Sequence, residues 1–257
     1  NMNRFKSFLI SGILILFTTT HLYSFEDQKS ELGFYFSTKV YEERHPVDNS
    51  FFMSQDGWMI GGESNSETYS DLYTGFKTKL AYGQVDYTSN GTGTMAGVPD
   101  YQFETTGYLG IPFEGSNSRT TLFSGLGFRY LLNQMGLKAS STGHSGYDRE
   151  SRYLYAPLGI NFEAGKWELR GEYLYFISGQ QTSKLSQVGG NYSDITNDQE
   201  EGSGLKLRAK YYIDDDSGYE FYTDYWDIAD SKLDTTGNFM EPRNTTSELG
   251  IKYFFKF

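Results

Sequence analysis

The chain ends in Leu249-Gly250-Ile251-Lys252-Tyr253-Phe254-Phe255-Lys256-Phe257. Every second residue of this stretch, counted from Leu249, is apolar or aromatic, whereas three of the four residues between them are Gly or Lys. Because the side chains of a β-strand point alternately to its two faces, the pattern predicts a strand with one apolar and one largely polar face. Its length is close to the roughly 9–11 residues with which a tilted strand crosses a bilayer.

The same two-residue period recurs along the chain. In the stretch 166–180, for example, aromatic and aliphatic residues alternate with Glu168, Arg170 and Glu172. We count ten such runs, near residues 31–42, 56–67, 71–88, 100–113, 120–134, 151–163, 166–180, 203–213, 218–230 and 246–257. An open sheet edge in lipid would leave backbone groups unpaired. The sequence therefore predicts an all-β fold, a closed antiparallel transmembrane β-barrel of about ten strands, with eight or twelve strands as the alternatives.

The connections between these runs alternate between long and short. The long ones are residues 43–55, 89–99, 135–150, 181–202 and 231–245, and the short ones are 66–70, 114–119, 164–165 and 214–218. Bacterial barrels place long loops outside the cell and short turns in the periplasm, so both termini of the barrel domain are expected on the periplasmic side. A soluble β-sandwich is the alternative interpretation, but the long strands and the many Tyr and Phe residues favour a barrel.

Composition narrows the class of protein. The 257 residues fit one domain, and 18% aromatic residues with 29 Gly favour strands and turns over helices. Mean hydropathy is -0.56, and no segment after residue 24 approaches the roughly 20 apolar residues of a spanning helix. The net charge of -11 argues against a nucleic-acid partner. The absence of Cys excludes disulfides and thiolate chemistry.

Residues 1–24 are predicted to be a cleaved signal peptide that precedes a barrel domain of residues 25–257. Arg4 and Lys6 form a charged segment before the apolar run 8–17, and cleavage is expected after Ser24. A single membrane anchor is the alternative, but the apolar run is shorter than the roughly 17 residues that a span needs.

The strand faces opposite the apolar ones are expected to line the lumen, and they carry basic and acidic residues in nearly equal numbers. These residues are Lys39, Glu63, Lys77, Lys79, Glu104, Arg129, Glu163, Glu168, Arg170, Glu172, Lys206, Arg208, Lys210, Glu220, Asp224, Glu248 and Lys252. A small barrel with such a lumen is expected to be filled and crosslinked by ion pairs. A narrow charged conduit for a small solute is the alternative.

Three other stretches could carry chemistry, and each has a simpler explanation. Gly143-His144-Ser145-Gly146 lacks the G-x-S-x-G spacing of a hydrolase and is expected to be a loop tip. Asp194, Asp198 and Glu200 are weak calcium candidates in a loop that lacks the EF-hand pattern and is expected to be solvated. Tyr225-Trp226-Asp227 is expected to be an aromatic cluster at the rim. We expect neither a bound metal nor a cofactor.

Four stretches of the sequence resemble a family of uncharacterised outer-membrane β-barrel proteins of Gram-negative bacteria: residues 82–87, 98–101, 147–153 and 241–250. The resemblance implies a multi-pass protein of the bacterial outer membrane. Membrane lipid is an expected partner, and the acidic, polar loops are expected to meet a cationic partner or lipopolysaccharide bridged by divalent ions. The final strand resembles the signal that the outer-membrane insertion machinery recognises. The signal residues would be Leu249, Ile251, Tyr253, Phe255 and Phe257. No residue with an assigned activity can be transferred from this family.

The function expected from the sequence is that of a non-enzymatic barrel. It would serve as a narrow pore or as a surface or structural barrel with functional outer loops, which could meet a small solute or a surface ligand. The alternative is a hydrolase at the rim, either a protease like the omptins or a lipid A-modifying enzyme. Omptins use paired acidic residues facing an Asp-x-His unit, and the loops of this chain contain no Asp-x-His. For a lipid A-modifying enzyme, His144 or His45 would have to act as the base.

Overall fold

The structure, a computed structural model, describes residues 27–136, 138–234, 236 and 239–257. The predicted signal peptide, residues 1–24, lies outside the described residues. The strands are β1 (Asp27–Arg44), β2 (Phe51–Tyr69), β3 (Tyr73–Ser89), β4 (Gly93–Glu114), β5 (Ser118–Asn133), β6 (Arg149–Ala164), β7 (Trp167–Ser183), β8 (Ile195–Gln199), β9 (Gly202–Tyr212), β10 (Ser217–Ile228) and β11 (Asn244–Lys256). A single 3-10 turn, Leu185–Gln187, follows β7.

All neighbouring strands pair antiparallel, and the sheet closes because β1 pairs with β11 and β6 pairs with β7. Strands β8 and β9 both pair with β7, so they occupy one position in the ring and are separated by Glu200 and Glu201. The ring therefore has ten strand positions. This confirms the predicted all-β, closed antiparallel barrel of ten strands.

Several strands are longer than the sequence indicated. Strand β4 has 22 residues, about twice the length that crosses a bilayer. The short turns at one end are residues 70–72, 115–117, 165–166 and 213–216. The opposite end carries three longer loops, residues 134–148, 184–194 and 229–243. The extra strand length places a rim of β-structure beyond the apolar part of the barrel.

The predicted long connections 43–55 and 89–99 are wrong. The connection after β1 is only 45–50, and that after β3 is only 90–92. Gly93 and Gly97 have φ values of +80° and +61°, so they adopt the left-handed conformation that a tight turn and a bulge require. The Asp86 carboxylate accepts the Gly97 N–H at 2.7 Å, next to the irregular pairing of β3 with β4. The glycines that suggested a loop therefore extend the hairpin.

The outer surface carries a continuous band of exposed apolar side chains. It includes Phe34, Phe36, Ile60, Leu80, Leu109, Ile111, Leu122, Leu126, Leu158, Ile160, Leu169, Leu205, Leu207, Phe221, Leu249 and Ile251. Aromatic contacts flank the band, with Trp58, Tyr82 and Tyr101 toward the long loops and Tyr219 and Tyr253 toward the short turns. An apolar band between two aromatic girdles is typical of a barrel surrounded by lipid. No helix of the described residues is long and apolar enough to cross a membrane.

Candidate functional site

The candidate site is the lumen together with its outer mouth, at the end that carries the long loops. The structure places the charged residues that the sequence assigned to the lumen on the inner wall. All of them are buried except Lys77 and Glu163, which are half-buried. In the ring of ten positions, β1 lies opposite β6 and β2 lies opposite β7. Ion pairs between these opposite strands therefore cross the lumen.

The lowest crossing lies near the short turns. The Lys29 ammonium on β1 pairs with the Glu163 carboxylate on β6. Beside it, the Arg119 guanidinium donates to Asp27 at 2.8 Å, which joins β5 to β1. These contacts tie the first residues of the barrel to the strands on its far side.

A second crossing lies further up the lumen. Arg170 on β7 donates from Nη1 to the Glu67 carboxylate on the opposite strand β2, at 3.2 Å. Its Nε donates to Glu172 at 2.7 Å, and the Tyr73 hydroxyl donates to Glu67 at 2.8 Å. The Arg170 guanidinium also lies over the rings of Tyr108 and Phe123. A guanidinium with several hydrogen bonds and aromatic neighbours is held in one geometry.

The middle of the lumen contains two linked groups of charges. Lys252 contacts both Glu63 and Glu220, the latter at 3.0 Å. Lys79 pairs with Glu248 at 2.8 Å, and the Tyr222 hydroxyl donates to the same carboxylate at 2.7 Å. Further contacts are those of Lys77 with Glu63, of Lys79 and Arg208 with Asp224, of Arg208 with Glu220 and, nearer the short turns, of Lys210 with Glu31 and Glu168. Each predicted base of this level therefore has a carboxylate partner.

Closer to the outer mouth the lumen becomes aromatic. Lys206 pairs with Glu104, which also accepts the Tyr155 hydroxyl at 2.7 Å. The Arg129 guanidinium lies 4.9 Å from the centre of the Trp226 ring, and its Nε is 4.0 Å from the Glu104 carboxylate. Within the described part of the chain, Nε and Nη1 of Arg129 have no hydrogen-bond partner. Arg129 is thus the least satisfied of the buried bases.

The position of Trp226 differs from the prediction of a rim cluster. Its side chain is 1% exposed and lies inside the lumen, where it packs on Tyr155 and Tyr153. The neighbouring Tyr225 is exposed on the outer surface. Adjacent residues of a strand point to opposite faces, so Trp226 shares its face with Asp224 rather than with Tyr225.

Four residues meet at the outer mouth, Tyr41, Glu43, Arg149 and Glu241, and we call them the outer-mouth cluster. Arg149, at the start of β6, pairs with Glu43 on the opposite strand β1 and with Glu241 from the loop 229–243. The Tyr41 hydroxyl donates to Glu43 at 2.7 Å. Burial raises the pKa of Glu241 to about 8; the nearby Glu43 adds to this rise, while Arg149 opposes it.

Several charges of this site were missed in the sequence. The buried ones are Glu31, Glu43, Glu67, Asp100, Arg149 and Glu241. The half-buried Lys29 of the lowest crossing was missed as well. Glu31 and Glu43 lie on the same strand as Lys39 and an even number of residues away from it. The two-residue period could therefore have assigned them to the lumen. Arg149 was assigned to a loop because β6 begins earlier than predicted. Glu241 lies in a loop and carries no periodic signal.

The hydrolase candidates of the long loop 134–148 lie at the rim. The His144 ring nitrogen Nδ1 is 2.9 Å from the Thr142 hydroxyl, and this hydroxyl donates to the Thr92 carbonyl at 2.7 Å. Ser145 forms an isolated backbone bridge with Ala139. Among the described residues, no hydrogen bond links His144 to the Ser145 side chain. In the connection 45–50, Nδ1 of His45 lies 3.5 Å from Oδ1 of Asp48.

The three weak calcium candidates have separate neighbours. Asp194 accepts the hydroxyl and backbone N–H of Ser186, and these hydrogen bonds hold the pKa of Asp194 below its usual range. Asp198 accepts from Gln180 at 2.8 Å, and Glu200 pairs with Lys232 at 2.6 Å. The described residues contain no group of three or more side chains able to hold a metal ion. The three carboxylates are thus not brought together as a ligand set.

No protein-family model matches the chain. No curated protein matches its sequence. Among solved structures, the outer membrane protease OmpT of Escherichia coli is similar, with 13% identity, a TM-score of 0.56, and coverage of 93% of this chain and 100% of that chain. Neisserial surface protein A matches at 10% identity and a TM-score of 0.38, covering 90% of this chain and 100% of that chain.

At such low identity the likeness to OmpT concerns the fold and does not extend to activity. The closed ring of ten strands, the apolar outer band with its aromatic girdles and the likeness in fold agree with one another. The chain is therefore a multi-pass, ten-stranded β-barrel of the bacterial outer membrane.

Proposed function

We propose that this protein is a non-enzymatic outer-membrane barrel that works as a surface or structural barrel with a closed lumen. The observation that carries the proposal is the set of ion pairs between opposite strands. Lys29 with Glu163 and Arg170 with Glu67 cross the lumen in its inner part, and Arg149 with Glu43 crosses it at its outer mouth.

These crossings matter because the charges are buried. Separating a buried ion pair by losing one partner costs about 3–5 kcal/mol, since the other charge is left without compensation. A solute that moved along the barrel axis would have to displace these pairs both in the inner part of the lumen and at its outer mouth. Free diffusion through this conformation would therefore be strongly disfavoured, and the narrow-pore alternative would require a second conformation.

The outer rim supports a role at the cell surface. The strands continue beyond the apolar band, so the outer loops stand on β-structure instead of emerging directly from lipid. The rim carries an excess of exposed carboxylates, among them Asp48, Asp56, Asp86, Asp198 and Glu200. Such a surface favours cationic partners or divalent ions that bridge it to the phosphates of lipopolysaccharide.

The final strand supports assembly by the outer-membrane insertion machinery. Leu249, Ile251 and Tyr253 project outward and are exposed, and Phe257 is exposed at the end of the chain. Their outward direction leaves them accessible before the barrel is surrounded by lipid. We propose that they form the signal that the insertion machinery reads.

Single-channel recording in a planar bilayer tests the closed lumen. We expect the refolded wild-type barrel to be silent at neutral pH. The double variant Glu67→Gln/Arg170→Gln removes the second crossing and should produce discrete openings. The matched control is Glu200→Gln/Lys232→Gln, which removes an exposed pair at the rim and should stay silent.

The opposite result would favour the pore. If the wild type itself gives discrete openings whose selectivity changes in Arg129→Ala and Glu172→Ala, the lumen conducts and the closed-barrel proposal is wrong. Retention of the folded, heat-modifiable band on gel electrophoresis shows in each case that the barrel was assembled.

A further inference from the structure

Arg129 is buried in the lumen without a counter-ion of its own. Its side chain on β5 is 1% exposed, and its Nε and Nη1 make no hydrogen bond to any described residue. The nearest carboxylate, that of Glu104, is 4.0 Å from Nε and already pairs with Lys206. Every other buried Lys and Arg of the described residues has a carboxylate within hydrogen-bond distance.

The guanidinium of Arg129 leaves one positive charge unmatched in this part of the lumen. An Arg side chain stays protonated inside a protein, and burying a charge is strongly unfavourable unless an opposite charge compensates it. Arg129 and Lys206 together carry two positive charges beside the single carboxylate of Glu104. The next carboxylates already have bases of their own, namely Asp224 with Arg208 and Glu248 with Lys79. Balance therefore requires one further negative charge.

A second unpaired donor lies beside Arg129. The guanidinium carbon is 4.9 Å from the centre of the ring of Trp226, which reaches it from β10 across the lumen. The Trp226 side chain is buried, and its Nε1–H has no hydrogen-bond partner among the described residues. A buried indole N–H usually has an acceptor. Arg129 and Trp226 thus both lack an acceptor in the same part of the lumen.

The surroundings of these two donors are aromatic and apolar. Tyr153, which pairs with Arg129 on the neighbouring strand, packs on the Trp226 ring, and Tyr155 packs edge-on against the same ring at 5.1 Å between the ring centres. Leu131 belongs to the same hydrophobic cluster. Apolar walls lower the local dielectric constant, so a charge inside them attracts an opposite charge more strongly than it does in water. Because these side chains pack against one another, the occupant must be small.

We propose that Arg129 and Trp226 hold one small monovalent anion, such as a halide or formate, on the inner side of the outer-mouth cluster. The single charge of the ligand follows from the one unmatched guanidinium, and the N–H groups of both side chains supply the hydrogen bonds that an anion accepts. The net charge of the chain, -11, repels anions in general, so binding depends on this local site. The inference goes beyond the proposed function and does not rely on whether the lumen conducts.

Iodide quenching of Trp226 fluorescence tests the proposal, because iodide is a small monovalent anion that quenches an indole on contact. The chain has three Trp residues, and the background Trp58→Phe/Trp167→Phe removes the two that are exposed on the outer surface. We expect iodide to quench Trp226 with a saturable dependence on concentration, whereas the neutral quencher acrylamide has little effect. Arg129→Met should weaken iodide binding about tenfold or more, because a charge-assisted hydrogen bond is lost. Lys232→Met, at an exposed base of the rim, is the matched control and should leave binding unchanged.

Equal iodide binding with and without Arg129→Met would overturn the proposal. It would also be overturned if iodide left Trp226 unquenched, since water alone would then satisfy both donors. If Arg129→Met does not assemble, crystals of the wild type grown with bromide replace it. An anomalous scattering peak against Arg129 and Trp226 supports the site, and a lumen without such a peak contradicts it. In a medium free of small anions the guanidinium has no partner, so Arg129→Met should be no less stable than the wild type. Added bromide should stabilise the wild type alone, and equal stabilisation of both would contradict the site.

Discussion

Arg149, at the outer end of β6, forms an ion pair with Glu43 on β1, the strand directly opposite in the barrel. Glu241 joins the same guanidinium from the loop 229–243. One side chain thus connects two opposite strands and one of the long loops at the outer mouth. The proposed closure of the mouth therefore depends on this cluster and on its protonation.

The loop 229–243 should be held more weakly as the pH rises. The pKa of Glu241 is raised from 4.5 to about 8 in the folded state, so the folded loop binds a proton that the released loop gives up. The stabilisation is complete below about pH 4.5 and is lost as the pH rises through 8. The protection of the loop amides against hydrogen exchange, corrected for intrinsic exchange, should therefore fall between pH 5 and 9.

Glu241→Gln should remove most of this pH dependence, because the neutral amide mimics the protonated acid. Glu200→Gln, at an exposed position of the rim, is the control and should leave it unchanged. A wild-type loop whose protection, corrected for intrinsic exchange, is constant from pH 5 to 9 would contradict the prediction.

Loss of the Glu104 charge should destabilise the barrel. Glu104→Gln leaves the buried Lys206 without its ion-pair partner, which costs about 3–5 kcal/mol. The corresponding change at the exposed Glu200 should cost no more than about 1 kcal/mol. Urea unfolding in lipid vesicles measures both free energies. A Glu104→Gln barrel as stable as the Glu200→Gln barrel would show that the buried pair contributes little.

Arg129 and Arg170 should respond differently to the same substitution. Arg129→Met replaces a guanidinium with two unpaired nitrogens by an apolar side chain of similar length, so stability should be unchanged or higher. Arg170→Met breaks hydrogen bonds to Glu67 and Glu172 and should lower stability by about 3–5 kcal/mol. The same unfolding assay separates the two. Equal losses would mean that Arg129 has partners of its own, such as bound water.

The terminal aromatic residue should matter for assembly in the cell more than for stability. Phe257 is 79% exposed and makes few contacts that could hold the folded barrel together. Phe257→Ser should reduce the amount of barrel in isolated outer membranes severalfold, while refolding into detergent micelles proceeds as in the wild type. Phe239→Ser changes an exposed Phe of a loop and is the control. Equal membrane levels for both variants would argue against the insertion signal.

The sequence revealed the barrel because lipid and lumen impose opposite demands on alternate residues. Lys206, Arg208 and Lys210 could be assigned to the inner wall from their alternation with apolar residues alone. Trp226 has the same parity as Asp224 and was nevertheless assigned to the rim, because a large aromatic residue next to Tyr225 resembles a girdle. The partner of each charge could not be predicted, since Arg170 and Glu67 meet across the lumen only once the ring has closed.

The opposite-strand ion pairs also bear on how the strands find their register. Their partners are far apart in sequence, 134 residues for Lys29 and Glu163 and 103 for Arg170 and Glu67, so they form only after the ring is complete. A slip of one residue in any strand would exchange its two faces and turn these charges into lipid. Each Lys or Arg at the midplane would then cost about 2–4 kcal/mol. The charges of the lumen thus also penalise any barrel in which a strand has slipped by one residue.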